Sequence, residues 1–245
     1  MIKLTLVVPT YNLSHYFNET LQTIANQTED FELWLVDDHS TDGTAEKAAE
    51  FVKGIPMFHV EQFDHHHGVS AARNFGIDHA TGDAVAFVDG DDRLHPDFAK
   101  TIITGFQKET PAVTVGYQWW HTPMEQQDHY ETFSQQMMFR QASLRGSEIG
   151  GYVWNKAFSL PAIRQQQLRF DESLTIAEDY LFTTTYIAHN PGIYLYDPAI
   201  RYTKINRPNS TLRSRSAAER RVEDQVFDRI YRMGAQLAKV TGGAS

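Results

Sequence analysis

Three carboxylates crowd into four residues, Asp89-Gly90-Asp91-Asp92, directly after the apolar run Ala84–Val88. Carboxylate oxygens suit hard cations such as magnesium or manganese. A cation held by one or two of them can bridge the phosphates of a nucleotide diphosphate and neutralise charge on a departing diphosphate. Gly90 would let the backbone approach a ligand closely. The bland alternative is an acidic turn that closes a strand. Asp37 and Asp38 end a second apolar run, Phe31–Val36. Their acceptor oxygens suit a nucleobase imide and ribose hydroxyls, or simply a turn. Arg73 is either a surface charge on its helix or a donor to a base carbonyl or phosphate. Glu178 and Asp179 open an apolar helical segment. Taken alone, they read as ordinary helix capping, where the dipole at the helix start favours the charged form. His65-His66-His67 has the composition of a metal tract, but consecutive side chains point in different directions, so a loop rather than one shared metal is expected.

The order of elements says how these residues meet. Lys3–Val8 reads as a buried strand, and Ser14–Ile24 as a helix with Ser14 as N-cap. Phe31–Val36 is a second strand, followed by a helix capped by Thr41 or Asp42 and running to Val52. Ile55–Val60 is a third strand, Val69–His79 a third helix and Ala84–Val88 a fourth strand. Strand–helix alternation predicts an α/β fold with a mostly parallel sheet covered by helices, a Rossmann-like nucleotide-binding half. Ligands in such sheets bind at the carboxyl ends of the strands. That edge receives Pro9-Thr10-Tyr11-Asn12, Asp37-Asp38-His39-Ser40, the segment from Gly68 to Asn74, and Asp89-Gly90-Asp91-Asp92. Acidic clusters converging there repel each other unless a cation or ligand donors compensate.

Beyond Asp92 the pattern changes. Pro96–Phe106 reads as a helix and Ala112–Trp120 as a strand. Residues 121–150 read as loops and irregular strands over a binding face. Pro161–Leu168 and Ala177–Ala188 read as helices, and Ile193–Tyr196 and Ala199–Ile205 as two strands. Ala217–Val240 reads as a long helix striped by Val222, Val226, Ile230, Leu237 and Val240. The expected organisation is a catalytic unit over 1–211, with a nucleotide half (1–95) and an acceptor half (96–211), then a basic amphipathic helix over 212–245.

Composition narrows the function classes. The 245 residues include no cysteine, which removes disulfide frameworks, thiolate metal sites and a cysteine nucleophile. Twenty-two basic against 31 acidic residues, a net charge of −9, argue against general nucleic-acid binding. The apolar runs are strand-sized, and Met1–Asn12 meets proline and polar residues too early for a signal peptide, so the expected location is the cytoplasm. Charge is uneven: residues 1–200 carry 12 basic and 27 acidic side chains, whereas 201–245 carry 10 and 4. The basic end is either a solvated helix face or a surface for an anionic partner.

Four segments in order carry a family likeness: Val8-Pro9-Thr10-Tyr11-Asn12, Val36-Asp37-Asp38 through Thr44, Gly68 through Ile77, and Phe87-Val88-Asp89-Gly90-Asp91-Asp92. Val153-Trp154-Asn155-Lys156, Phe170-Asp171-Glu172, Glu178 through Phe182, and Tyr202 through Ser210 extend it. Over roughly residues 3–211 the chain resembles family 2 glycosyltransferases of GT-A fold. The resemblance implies inverting transfer of a sugar from a nucleotide diphosphate donor, usually a uridine diphosphate sugar, to a saccharide or lipid-linked acceptor, in cell-surface polysaccharide assembly. It implies donor contacts from Pro9, Thr10, Tyr11, Asp38, Arg73, Asp89 and Asp91. Asp91 would hold a divalent cation, Mn2+ or Mg2+, and Asp179 would be the general base. Glu178 and Trp154 fall on the acceptor side, and Lys156 or Arg207 would share charge on the diphosphate. Two positions depart from the family's usual residues: His39, often small or polar, and Gly90, commonly serine, alanine or threonine. Rival readings are a noncatalytic sugar-nucleotide-binding homologue and a nucleotidyltransferase, though the latter lacks its glycine-rich basic loop after strand one. The C-terminal helix either meets the inner membrane surface through Arg213, Arg215, Arg220 and Arg221, or packs its stripe on the catalytic domain or a second copy of the chain and leaves the arginines in solvent.

Overall fold

The computed structural model describes residues 1–119, 129–205 and 216–242. β1 (Leu4–Thr10), α1 (Tyr16–Ala25), β2 (Glu32–Asp37), α2 (Thr44–Val52), β3 (Phe58–Gln62), α3 (Val69–His79) and β4 (Ala84–Phe87) alternate as the sequence predicts. β1 pairs in parallel with β2 and β4, and β2 with β3. All seven residues of β1 are buried, as expected for a central parallel strand covered on both faces. Its side chains alternate between two cores. Val7 joins Val85, Phe87, Phe158 and Phe182 in one core, while Leu6 and Val8 join Ala86, Phe17, Phe98 and Ile102 in the other.

The remaining elements are β5 (Arg93–Leu94), α4 (Phe98–Phe106), β6 (Ala112–Trp119), β7 (Glu131–Ser134), α5 (Gln135–Ala142), β8 (Lys156–Ser159), α6 (Leu160–Gln165), α7 (Glu178–His189), β9 (Ile193–Lys204) and α8 (Ala217–Gly242). One sheet runs β3-β2-β1-β4-β8-β6-β9-β5, with β7 paired to β9. β8 lies antiparallel between β4 and β6 and joins the two halves of the sheet.

Several boundaries differ from the sequence reading for identifiable reasons. Ser14 does not cap α1: it sits at φ +53°, and both its N–H and its hydroxyl donate to Asp42. The polar composition of 129–150 hides α5, whose buried face is Met138, Phe139 and Ala142 and whose N-cap Ser134 accepts from the Met137 N–H. The two strands expected around Pro198 are one. Pairing of β9 with β6 shifts register at Val115–Gly116–Tyr117, and the proline falls in that irregularity, where a missing ladder donor is tolerated. Along α8, Val226, Phe227 and Ile230 are buried in the first core. This part of the stripe therefore packs on the chain's own α5 and α7, as the reading of a helix that covers its own core has it. Arg220 and Arg221 are exposed; Arg213 and Arg215 lie outside the described residues. No helix among the described residues is long and apolar enough to cross a membrane.

α3 approaches β1 through Gly76. A Cβ there would lie 2.3 Å from Val7 Cγ1 and 2.6 Å from Cγ2. Glycine to alanine in an exposed helix interior stabilises by about 1 kcal/mol, but overpacking a core costs about 1–3 kcal/mol. Crowding by a β-branched side chain on a central strand dominates. We expect Gly76→Ala to lower the denaturation midpoint, and the same change to cost less in a Val7→Ala background, because the clash is shared.

Candidate active site

The parallel register brings the chemistry to one edge. Thr10 pairs with Asp37, and Asp37 with Gln62, at the carboxyl ends of β1, β2 and β3. The loops after β1, β2, β3 and β4 leave from there. Asn12, Ser14 and His39 in these loops, and Ala177 before α7, hold positive φ angles of 48–66°, a strained conformation for non-glycine residues that clusters at functional sites.

Arg73, on α3, is 4% exposed. Its Nη2 donates to Asp89 Oδ1 at 3.1 Å and its Nη1 to Glu178 Oε1 at 2.9 Å. One guanidinium thus ties the loop after β4 to the start of α7. The guanidinium carbon lies 5.3 Å from the Phe170 ring centre, and Phe170 stacks on Phe182 with 4.0 Å between centres. The neighbouring Asn74 fixes this support. Its amide donates to the Phe170 carbonyl and Glu172, while its oxygen accepts from the Phe170 N–H. Burial lowers the pKa of Arg73, but Asp89, Glu178 and Asp179 outweigh it and raise it overall.

A second cation stands on the other side of Asp89. Lys204 Nζ, at the end of β9, lies 2.7 Å from Asp89 Oδ2 and 2.8 Å from Asp92 Oδ2. Tyr202, two residues earlier on the same strand face, donates its hydroxyl to Asp92 Oδ2 at 2.6 Å and accepts from the Asp89 N–H. The Ile205 N–H reaches Asp92 Oδ1 at 2.7 Å. Burial alone would raise Asp89, yet Lys204 and Arg73 hold it down at about 2. Asp92 is fully buried and pushed up to about 7 by burial, against the pull of Lys204.

Asp89, Asp91 and Asp92 present carboxylate oxygens within 4.8 Å of one another. All-oxygen donors fit a hard divalent cation. Both oxygens of Asp89 and of Asp92 accept from protein donors, and Asp91 is half-exposed beside them. The set therefore fits a cation that takes most of its ligands from a bound anion and water.

Asp179, in the first turn of α7, accepts from the Tyr180 N–H at 2.8 Å. Desolvation, then the adjacent Glu178, push its carboxyl up to about 7, with Arg73 opposing. The helix dipole alone would favour the charged form; desolvation wins.

Other predicted residues also have partners within the protein. Asp38, expected at the base and ribose, accepts from the backbone N–H groups of His67 and Gly68 at 2.6 and 2.8 Å, with His66 Nδ1 at 2.8 Å. Thr10 is buried and donates to Asp37, and Pro9 is buried in β1. Tyr11 stays 44% exposed, its ring centre 4.4 Å from that of His66. Gly90 is crowded on its Cα side: a Cβ would meet Leu13 Cδ1 at 2.5 Å and the Pro9 carbonyl at 3.0 Å. That crowding accounts for glycine where a larger residue is common. His39 is exposed, with Nδ1 3.3 Å from the Phe63 carbonyl. Trp154 is 4% exposed, its ring near-stacked with Tyr152 and Tyr202 at 4.7 and 4.9 Å; it packs and offers no open platform to a sugar. Lys156 is 1% exposed and donates to the Ile149 and Tyr152 carbonyls and to Asn155. Burial holds it well below its usual pKa, with Asp179 opposing. With all three donors spent, it holds the loop before β8 and does not face a diphosphate. Arg207 lies outside the described residues.

The model of glycosyl transferase family 2 matches residues 5–164. The chain belongs to this family. It is 28% identical over 207 residues to the glycosyltransferase GlyA of Streptococcus pneumoniae, covering 79% of this chain and 29% of GlyA. It is 30% identical over 187 residues to the putative glycosyltransferase EpsH of Bacillus subtilis, covering 73% of this chain and 54% of EpsH. The chain thus spans under a third of one relative and about half of the other. The fold is similar to that of Staphylococcus aureus TarS solved with UDP-GlcNAc, with a TM-score of 0.74, 22% identity, and coverage of 92% of this chain and 65% of that one.

Sequence reasoning missed two contributors to this family 2 site. Lys204 carried no motif, but strand alternation puts Tyr202 and Lys204 on one face of β9, which would have pointed to the pair. His66 lay inside a histidine run whose direction the sequence does not give. Removal of Arg73 would leave Asp89 and Glu178 each short of a partner. Breaking a buried pair by deleting one member costs about 3–5 kcal/mol. Arg73→Met should lower unfolding stability by that order in urea titration, and a loss below about 1 kcal/mol would contradict this account.

Proposed function

We propose that this chain transfers a sugar from a nucleotide diphosphate donor, a UDP-sugar, to a hydroxyl of a saccharide or lipid-linked acceptor, with inversion at the anomeric carbon. The observation that carries the reading is the join made by Arg73. It ties the Asp89-Gly90-Asp91-Asp92 loop, the donor side, to the turn of α7 that bears a desolvated Asp179, the acceptor side. Donor and acceptor fall to the two halves, 1–95 and 96–211. The UDP-GlcNAc in the TarS structure supports a uridine diphosphate donor, and the GlyA and EpsH relatives support sugar transfer as the reaction class.

In the proposed reaction the acceptor oxygen attacks the anomeric carbon from the face opposite the diphosphate. The bond from that carbon to the phosphate oxygen breaks, and the acceptor proton passes to Asp179. No covalent enzyme intermediate forms. Tyr11 borders the base, and Asp89 meets the ribose. Asp91 would hold a divalent cation, Mn2+ or Mg2+, which when bound supplies positive charge to the diphosphate. Arg73 and Lys204 keep Asp89 ionised, and Glu178 helps keep the Asp179 pKa high. A base that titrates near neutrality suits this role. Cell-surface polysaccharide assembly and a cytoplasmic site of action are the settings we infer.

Release of UDP from a panel of UDP-sugars, with and without acceptor saccharides, tests the reaction. Asp179→Asn should cut turnover by ~10²–10⁴-fold, the span general-base catalysis covers. The base works deprotonated, so kcat/KM should fall about tenfold per pH unit below about 7 and level off above it. A flat profile from pH 5.5 to 8 would assign the proton elsewhere.

The cation has its own test. Calorimetry should find UDP binding strengthened by manganese, and Asp91→Asn should remove that enhancement while the unfolding transition stays in place. Equal affinity with manganese and with chelator in the unaltered protein would remove Asp91 from this role.

A further inference from the structure

The loop between β3 and α3 contains a second set of metal-ligand atoms with different chemistry. Asp64, His65 and His67 present one carboxylate oxygen and two imidazole nitrogens that all lie within 4.8 Å of one another. His65 Nδ1 is 2.6 Å and His67 Nε2 3.7 Å from Asp64 Oδ1, and the two imidazole ring centres are 3.8 Å apart. His66, between them, turns the other way, to Asp38 and the Tyr11 ring. The run of three histidines is thus divided, one paired with Asp38 and two converging on Asp64.

We propose that Asp64, His65 and His67 form a binding site for a zinc-class divalent transition metal, separate from the acidic set at Asp89–Asp92. The donor chemistry distinguishes the two. Imidazole nitrogen suits zinc, copper and nickel, whereas carboxylate and water suit magnesium and manganese. Three protein ligands with water in the remaining position make an open tetrahedral site. Ligand atoms at about 2.1 Å from zinc lie about 3.4 Å apart in that geometry, so the 2.6 Å contact has to open and the 3.7 Å contact to close slightly, both by side-chain rotation. The three side chains are exposed and can turn without displacing core atoms.

The backbone under the site is fixed already. Asp38, 3% exposed at the end of β2, accepts from the N–H groups of His67 and Gly68. Phe63 and His67 meet edge to face at 5.0 Å. The ligands therefore stand on an anchored loop, and ordering them costs less than ordering a free tract. A metal here would cross-link Asp64 to His67 and stiffen the segment that carries His66 against Tyr11, at the mouth of the proposed donor site.

The test is zinc chloride titrated by calorimetry into untagged protein carrying Asp91→Asn, which disables the acidic set. One zinc per chain is expected. His65→Ala and His67→Ala should each weaken binding by at least the ~10–100-fold that loss of an outer partner costs, and His66→Ala should leave it intact. Imidazole carbon-bound proton resonances of His65 and His67, but not of His66, should shift with zinc. Circular dichroism checks that each variant is folded, and His→Gln replaces any that is not. Zinc affinity unchanged in the His65/His67 double variant would overturn the assignment. So would its loss in His66→Ala, or no binding by the parent at equimolar zinc.

Discussion

The site rests on one electrostatic constraint. Asp89, Asp92, Glu178 and Asp179 are gathered where desolvation penalises charge, and the fold supplies two cations of its own to hold them. Arg73 comes from a helix in the first half of the chain and Lys204 from the last strand of the second, and both reach Asp89. A buried charge without partners is far more costly than one that is paired and hydrogen-bonded. The neutralisation also divides the carboxylates by role. Asp89 is kept ionised, whereas Asp92 and Asp179 titrate near neutrality. Neighbouring groups of one chemical type thus acquire different protonation behaviour from their surroundings.

Several motif residues also hold the protein's own backbone. Asp38 spends its oxygens on the backbone of the loop before α3, Asn74 clasps Phe170, and Lys156 holds the loop before β8. Each satisfies backbone groups that would otherwise be buried without partners. The first two lie behind residues of the site: His66, paired with Asp38, meets the Tyr11 ring, and Phe170, clasped by Asn74, lies against Arg73. Arg is suited to the central place because its planar fork serves two carboxylates at once.

The first half of the chain was legible because its signals are local. Apolar runs of strand length end in aspartates, and α3 matches its expected span at both ends, from Val69 to His79. The convergence of the loops follows from parallel pairing alone. What escaped depends on long-range partners. β8 is four residues, Lys156–Ser159, defined by pairing with β4 and β6 rather than by periodicity. α5 reads as polar because its outward face is glutamine-rich. Lys204 is an ordinary lysine until β9 is placed beside the loop that holds Asp92. The burial of Trp154 and Lys156 is a tertiary property that their local sequence does not carry.

The place of β8 has a consequence during synthesis. β4 can pair with β1 as soon as residues 84–87 have left the ribosome, but its other edge waits for residues 156–159. At about 5–20 residues per second, that interval lasts several seconds. Throughout it a short, wholly apolar strand, Ala84-Val85-Ala86-Phe87, presents unpaired N–H and carbonyl groups, the usual template for intermolecular pairing. The nascent nucleotide half is thus a sheet with an open side, and its safe passage depends on the later arrival of a strand that runs in the opposite direction.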